Sequence, residues 1–208
     1  MTAVKICGVT NVQDARMCVD LGVAAIGLNF VPSSPRCVSL GQARVIAASV
    51  HGRVEVVGVV ANWDLAALKA LLRDVPLDRV QLHGDEPVTL VQALYPVAYK
   101  AVRIATAADV AIARSFPGED ILVDAKVPGV LGGSGHVFDW SLVVELAKER
   151  RVTLAGGLNP DNVGHAVRVV SPYRVDVASG VDDPNDPRKK DASRVRAFVA
   201  AAREPRSR

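Results

Sequence analysis

Lys5 and Cys7 stand two residues apart in a short apolar run that ends at Gly8. On a β-strand, side chains two apart share a face, so an ammonium and a thiol are expected side by side. A nearby ammonium favours thiolate over thiol. That predicts a Cys7 pKa below the ordinary value of about 8.5, and a competent base or nucleophile at neutral pH. Farther along, Asp124 closes the apolar run Ile121-Leu122-Val123. A carboxylate there must be solvated, paired or catalytic, because unpaired burial is costly. Facing a cysteine, it can serve as the acid of an acid–base pair. Taken alone, Asp124 reads first as a helix cap or ion-pair partner, and a lone cysteine as a small buried hydrophobe. We give that structural role to Cys18 and Cys37, and the chemical one to Cys7.

Three glycine-rich stretches suggest a second kind of chemistry: GVLGGSGHVF at 129–138, LAGGLNP at 154–160 and VASG at 177–180. Without a Cβ, the backbone N–H groups of such loops can approach the oxygens of a phosphate closely. One such loop is an ordinary tight turn; three predict a phosphate-binding site. His51, His136 and His165 are isolated and read as surface residues, and no pair has the HxxxH spacing of metal ligands. No metal is predicted.

These residues need a scaffold, and the pattern between them supplies one. Eight short, apolar, β-branched runs are expected as strands: Val4–Cys7, Ala24–Phe30, Val54–Ala61, Arg79–Leu82, Ala98–Val102, Asp120–Asp124, Val152–Ala155 and Arg174–Ser179. Each precedes a segment of helical periodicity, near 12–20, 41–50, 64–73, 87–94, 107–115, 140–150, 161–170 and 191–202. Thr10 and Gln13 are spaced as a capping box, and Asn159-Pro160 reads as a cap before a proline at the first helical position. Strands apolar nearly throughout are buried on both faces. Eight βα units with no linker between them therefore predict an α/β fold, a single-domain (β/α)₈ TIM barrel spanning 1–208. A doubly wound sheet is the alternative. In such a barrel the active site lies at the C-terminal ends of the strands, and phosphate binds at the loops after the seventh and eighth. Cys7, Asn29, Gln81-Leu82-His83, Asp124, Gly156-Gly157 and Ser179-Gly180 all fall at predicted strand ends, with apolar residues expected to fill the strand interiors. That distribution points to an enzyme.

Composition narrows the class. Half of the 208 residues are hydrophobic and 23% are charged, with a net charge of +3. This is the balance of a soluble globular chain, and the slight cationic excess suits an anionic small substrate. Aromatic residues make up only 4%, too few for the stacking platforms of nucleic-acid binders. Three cysteines make no paired disulfide framework and suit a reducing cytoplasm. No export signal or membrane span is evident.

The motifs KICGVTNVQDA, VPSSPR, VQLHGDEP, VDA, GGSGHVFDW, AGGLNPDNV and VDVASGV, in that order from residue 5 to 181, resemble the phosphoribosylanthranilate isomerase family of tryptophan biosynthesis. The resemblance implies an Amadori rearrangement of N-(5-phosphoribosyl)anthranilate to 1-(2-carboxyphenylamino)-1-deoxyribulose 5-phosphate, without a cofactor. It implies Asp124 as general acid and Cys7 as general base. Arg36 is implied to bind the anthranilate carboxylate, with His83 and Asp176 lining the pocket. Gly133, Ser134, Gly135, Gly156, Gly157, Ser179 and Gly180 are implied to hold the phosphate. It further implies a cytoplasmic protein, a monomer or weak homodimer, that binds neither nucleic acid nor membrane. The chain departs from the family's usual VDVSSGVE at Ala178, which lacks a hydroxyl, and at Asp182, a shorter carboxylate. The DPNDPRKKD that follows is longer and richer in proline than expected. We read these changes as bearing on phosphate binding.

Three other readings fit less well. A ribulose-phosphate epimerase needs clustered histidine and acidic metal ligands. The histidine-pathway sugar-phosphate isomerase needs an aspartate where Cys7 stands. A non-catalytic phosphate-binding barrel explains the glycine loops but not Cys7 and Asp124.

Overall fold

The computed structural model describes residues 1–125 and 138–204. Eight strands run parallel and close in chain order: β1 (Ala3–Cys7), β2 (Ala25–Asn29), β3 (Glu55–Val60), β4 (Arg79–Leu82), β5 (Ala98–Ile104), β6 (Asp120–Ala125), β7 (Arg151–Leu154) and β8 (Arg174–Val177). The register places Lys5 beside Ala25 on one side and Asp176 on the other, which seals the barrel. The helices are α1 (Val12–Asp20), α2 (Leu40–Val50), α3 (Leu65–Asp74), α4 (Val88–Ala93), α5 (Ala107–Ser115), α6 (Val144–Glu149), α7 (Val163–Val170) and α8 (Ala192–Arg203). No helix among the described residues is long and apolar enough to cross a membrane.

The expected βα alternation is present, and the local differences have physical reasons. Asn11, not Thr10, caps α1: its side chain accepts from Asp14 N, while the Thr10 hydroxyl donates to Arg188 O. The pattern of a capping box was therefore spent on a long-range contact. Asn159 caps a turn ahead of α7 rather than the helix itself, accepting from Asp161 N and Asn162 N, and the helix proper begins at Val163. The expected helix at 140–150 starts as a 3₁₀ turn, Trp140–Val143, capped by Asp139. Strand β8 stops at Val177, two residues early, because the chain turns into the 3₁₀ segment Ser179–Val181. The proline-rich DPNDPRKKD forms part of an antiparallel hairpin, β9 (Asp182–Asp183) and β10 (Asp186–Lys190).

The main core lies between barrel and helices, where Ile6, Ile26, Leu28, Leu82 and Ile121 meet Ile46, Leu68, Leu71 and Phe198, all nearly or fully buried. A smaller cluster, Ala25, Val57, Tyr99, Ala101, Leu122 and Ala155, fills the barrel lumen. The lumen is not apolar throughout, as the sequence suggests. Lys5, Gln81, Thr153, Arg174 and Asp176 are buried among those residues, and they are tolerated because most of them pair with one another. Arg174 meets Glu55 at 2.7 Å, and Lys5 meets Asp176 at 3.0 Å.

Candidate active site

The strands' C-terminal ends open on a cavity of about 400 Å³, within the range of small-molecule sites. Cys7, Arg36, His83, Asp124, Asp176, Gly156, Gly157 and Ser179 all line it. The barrel thus gathers eight of the residues singled out in the sequence into one mouth. Gly180 does not line the cavity; it packs against Leu158 O and Asn159, so close that a Cβ there would lie 2.2 Å from the carbonyl. Gly133, Ser134 and Gly135 lie outside the described residues. Asn29, Ser34 and Gln81 line the cavity as well, and sequence reasoning gave none of them a role.

The barrel interior carries a continuous polar chain up to this mouth. Lys5 Nζ donates to Asp176 Oδ2 at 3.0 Å and to Gln81 Oε1 at 3.1 Å. Tyr99 donates its hydroxyl to the same Oε1 at 3.1 Å, and Gln81 Nε2 lies 2.8 Å from His83 Nδ1. His83 Nε2 is 3.2 Å from Asp124 Oδ2, and Asp124 Oδ1 accepts from Ala125 N at 2.8 Å. Asp176 Oδ1 is buried with no partner among the described residues.

The electrostatics of Cys7 differ from the expectation. Burial pushes the thiol up; Lys5 and Lys190 pull it back in part, and Asp176 opposes them. Lys5 cannot dominate because its charge is already paired. Burial disfavours that ammonium, but Asp176, with Cys7 and Tyr99, outweighs burial and raises its pKa. Cys7 is therefore a buried thiol of raised pKa rather than a ready-made thiolate.

Arg36 is held rather than loose. Its Nε donates to Asp182 Oδ2 at 2.9 Å, and Nη2 meets the same oxygen. Asp182 Oδ1 accepts from Lys190 Nζ at 2.6 Å. Burial lowers the Lys190 pKa and Asp182 opposes the shift. The hairpin braces the same loop from another side, since the Arg188 guanidinium donates to Pro35 O and Cys37 O. Asp182 thus serves the loop carrying Arg36.

Two glycines are dictated by this geometry. Gly8 adopts φ +73°, and a Cβ there would lie 2.3 Å from Arg36 Cδ. Gly156 adopts φ +88°, and its Cβ would meet Ala125 N at 2.5 Å and Asp124 Oδ1 at 2.9 Å. A side chain at either position would be both strained and blocked.

The match to known proteins extends over the whole barrel. The family model for N-(5'-phosphoribosyl)anthranilate isomerase matches residues 4–201. The chain belongs to this family. The N-(5'-phosphoribosyl)anthranilate isomerase of Pseudomonas aeruginosa strain LESB58 is 45% identical over 206 residues, covering 98% of this chain and 96% of its own. The crystal structure of phosphoribosyl anthranilate isomerase from Thermotoga maritima superposes with a TM-score of 0.87 at 39% identity, covering 97% of this chain and 98% of that one. A further isomerase structure, in complex with reduced 1-(o-carboxyphenylamino)-1-deoxyribulose 5-phosphate, has a TM-score of 0.84 at 38% identity, with the same coverage.

Proposed function

We propose that this cavity rearranges N-(5-phosphoribosyl)anthranilate to 1-(2-carboxyphenylamino)-1-deoxyribulose 5-phosphate, as a single (β/α)₈ domain acting in the cytoplasm. The observation that carries the reading is the convergence of Cys7, Asp124 and Arg36 on one strand-end cavity in a chain of the isomerase family. Three unpaired cysteines support the reducing compartment.

Asp124 gives its proton to the ribose ring oxygen. The bond from that oxygen to C1 breaks, and the anilino nitrogen lone pair forms the C1=N iminium. Cys7, as thiolate, then takes the C2 proton; the electrons form C1=C2 and neutralise the nitrogen. The enolamine becomes the ketone by losing its hydroxyl proton and gaining a proton at C1. Each transfer is general acid–base chemistry, which contributes about 10²–10⁴-fold per group. Arg36 meets the anthranilate carboxylate with its planar fork. Asp176 Oδ1, unpartnered among the described residues, accepts from a sugar hydroxyl. Gly156, Gly157 and Ser179 cradle the phosphate, with Gly133, Ser134 and Gly135 assigned to it from sequence.

Complementation tests the substrate. The gene is expected to rescue a tryptophan auxotroph lacking this isomerase and not the corresponding histidine auxotroph. Rescue of only the histidine strain would overturn the assignment.

A further inference from the structure

Gln81 is fully buried between two groups of opposite hydrogen-bonding character. On one side Lys5 Nζ stands 3.1 Å from its Oε1. An ammonium has donors only, so the amide oxygen must face Lys5. The Tyr99 hydroxyl, 3.1 Å away, donates to the same oxygen. On the other side the amide nitrogen is thereby turned to His83 Nδ1, at 2.8 Å. An NH₂ group can only donate, so Nδ1 is the acceptor. A neutral imidazole has one N–H, and it must then sit on Nε2, 3.2 Å from Asp124 Oδ2. Among the described residues this last contact falls short of a regular hydrogen bond, as catalytic contacts outside the reacting complex often do.

We propose that Gln81 is a positioning residue: it converts the donor-only character of Lys5 into the Nε2–H tautomer of His83, which presents a proton to Asp124. This rests on Asp124 being the general acid. When Asp124 gives up its proton, the carboxylate left behind is met by the Nε2–H, and that interaction strengthens as charge develops. Neither Gln81 nor Lys5 needs to touch the substrate for this. The relay holds its direction because both ends are fixed. Asp176 pairs with Lys5 at 3.0 Å, and Asp124 is anchored by Ala125 N.

Two measurements test the relay, and the first needs no turnover. In the wild-type protein with ¹⁵N-labelled histidine, nitrogen chemical shifts at neutral pH are expected to show His83 unprotonated at Nδ1 and protonated at Nε2. The Nδ1–H tautomer, or a doubly protonated ring, would overturn the proposal whatever the protein catalyses. The second uses Gln81→Glu, which still accepts from Lys5 and Tyr99 but has no proton for His83. Its His83 proton is expected to move to Nδ1, and kcat to fall about tenfold or more with KM within about twofold. Gln81→Met, which removes both hydrogen bonds at similar volume, is expected to lower kcat in the same way and to leave a mixture of tautomers. A loss confined to stability, with tautomer and kcat unchanged in whichever variant folds, would make Gln81 merely structural. Absence of isomerase activity in the wild type would instead refute the function reading and leave the tautomer result standing.

Discussion

Arg36 and Asp182 are 146 residues apart in sequence, yet Arg36 Nε donates to Asp182 Oδ2 at 2.9 Å at the barrel mouth. The same carboxylate holds the buried Lys190 through its other oxygen. The Arg36 side chain is thus aimed by a hairpin that follows the last barrel strand. Losing a charged hydrogen-bonding partner costs about 1.5–3 kcal/mol, or roughly 10–150-fold in affinity. Arg36→Ala is therefore expected to raise KM by about that factor with a smaller effect on kcat. Asp182→Asn, which frees the guanidinium, should raise KM less. Steady-state kinetics on both variants decides; a kcat loss at constant KM in Arg36→Ala would place Arg36 in the chemistry instead.

Asp124→Asn keeps the shape of the side chain but has no acidic proton to deliver. Its loss should fall on kcat, by about 10²-fold or more, since a general acid acts in the transition state. An unchanged kcat with a raised KM would reduce Asp124 to a binding group.

The raised thiol sets a pH dependence. Cys7 works as thiolate, and burial, outweighing Lys5 and Lys190, favours the thiol. The reactive fraction therefore grows as pH rises through and beyond the ordinary thiol range near about 8.5. Because kcat/KM reports groups of the free enzyme, its ascending limb is expected to continue above neutral pH. A plateau already reached by about pH 6 would mean a thiolate stabilised well below its ordinary range, contrary to the burial.

The Lys5–Asp176 pair makes a stability prediction. Both partners are buried, and removing one leaves the other charged and alone, at a cost of about 3–5 kcal/mol. Lys5→Met should lower the urea midpoint accordingly. The double variant Lys5→Met with Asp176→Leu should recover much of that loss, because a buried pair is often replaceable by apolar residues. If the single variant unfolded at the wild-type midpoint, the pair would carry no structural weight.

Much of this was readable in the sequence because it depends on local pattern. The strands are short apolar runs, and Cys7 and Asp124 stand out as reactive residues at the ends of two of them. What was hidden depends on distant parts of the chain. Gln81 sits in a strand two residues before His83, and only the barrel brings Lys5 and Tyr99 to its amide oxygen. The segment around Asp182 and Lys190 reads as a charged, proline-rich loop until the fold places Arg36 against it. The Cys7 shift was expected with the wrong sign because sequence spacing reveals a neighbouring lysine but neither the depth of burial nor the aspartate already holding that lysine. The Thr10 spacing misled for a related reason: its hydroxyl goes to Arg188, far along the chain.

The most direct test follows the fluorescence of phosphoribosylanthranilate with purified protein, wild type beside Cys7→Ala. The wild type is expected to consume the substrate, and Cys7→Ala to lose at least about 10²-fold in kcat with its circular dichroism spectrum unchanged. A folded Cys7→Ala variant with near wild-type kcat would remove Cys7 from the mechanism, and a wild type that leaves the fluorescence untouched would contradict the proposed reaction itself.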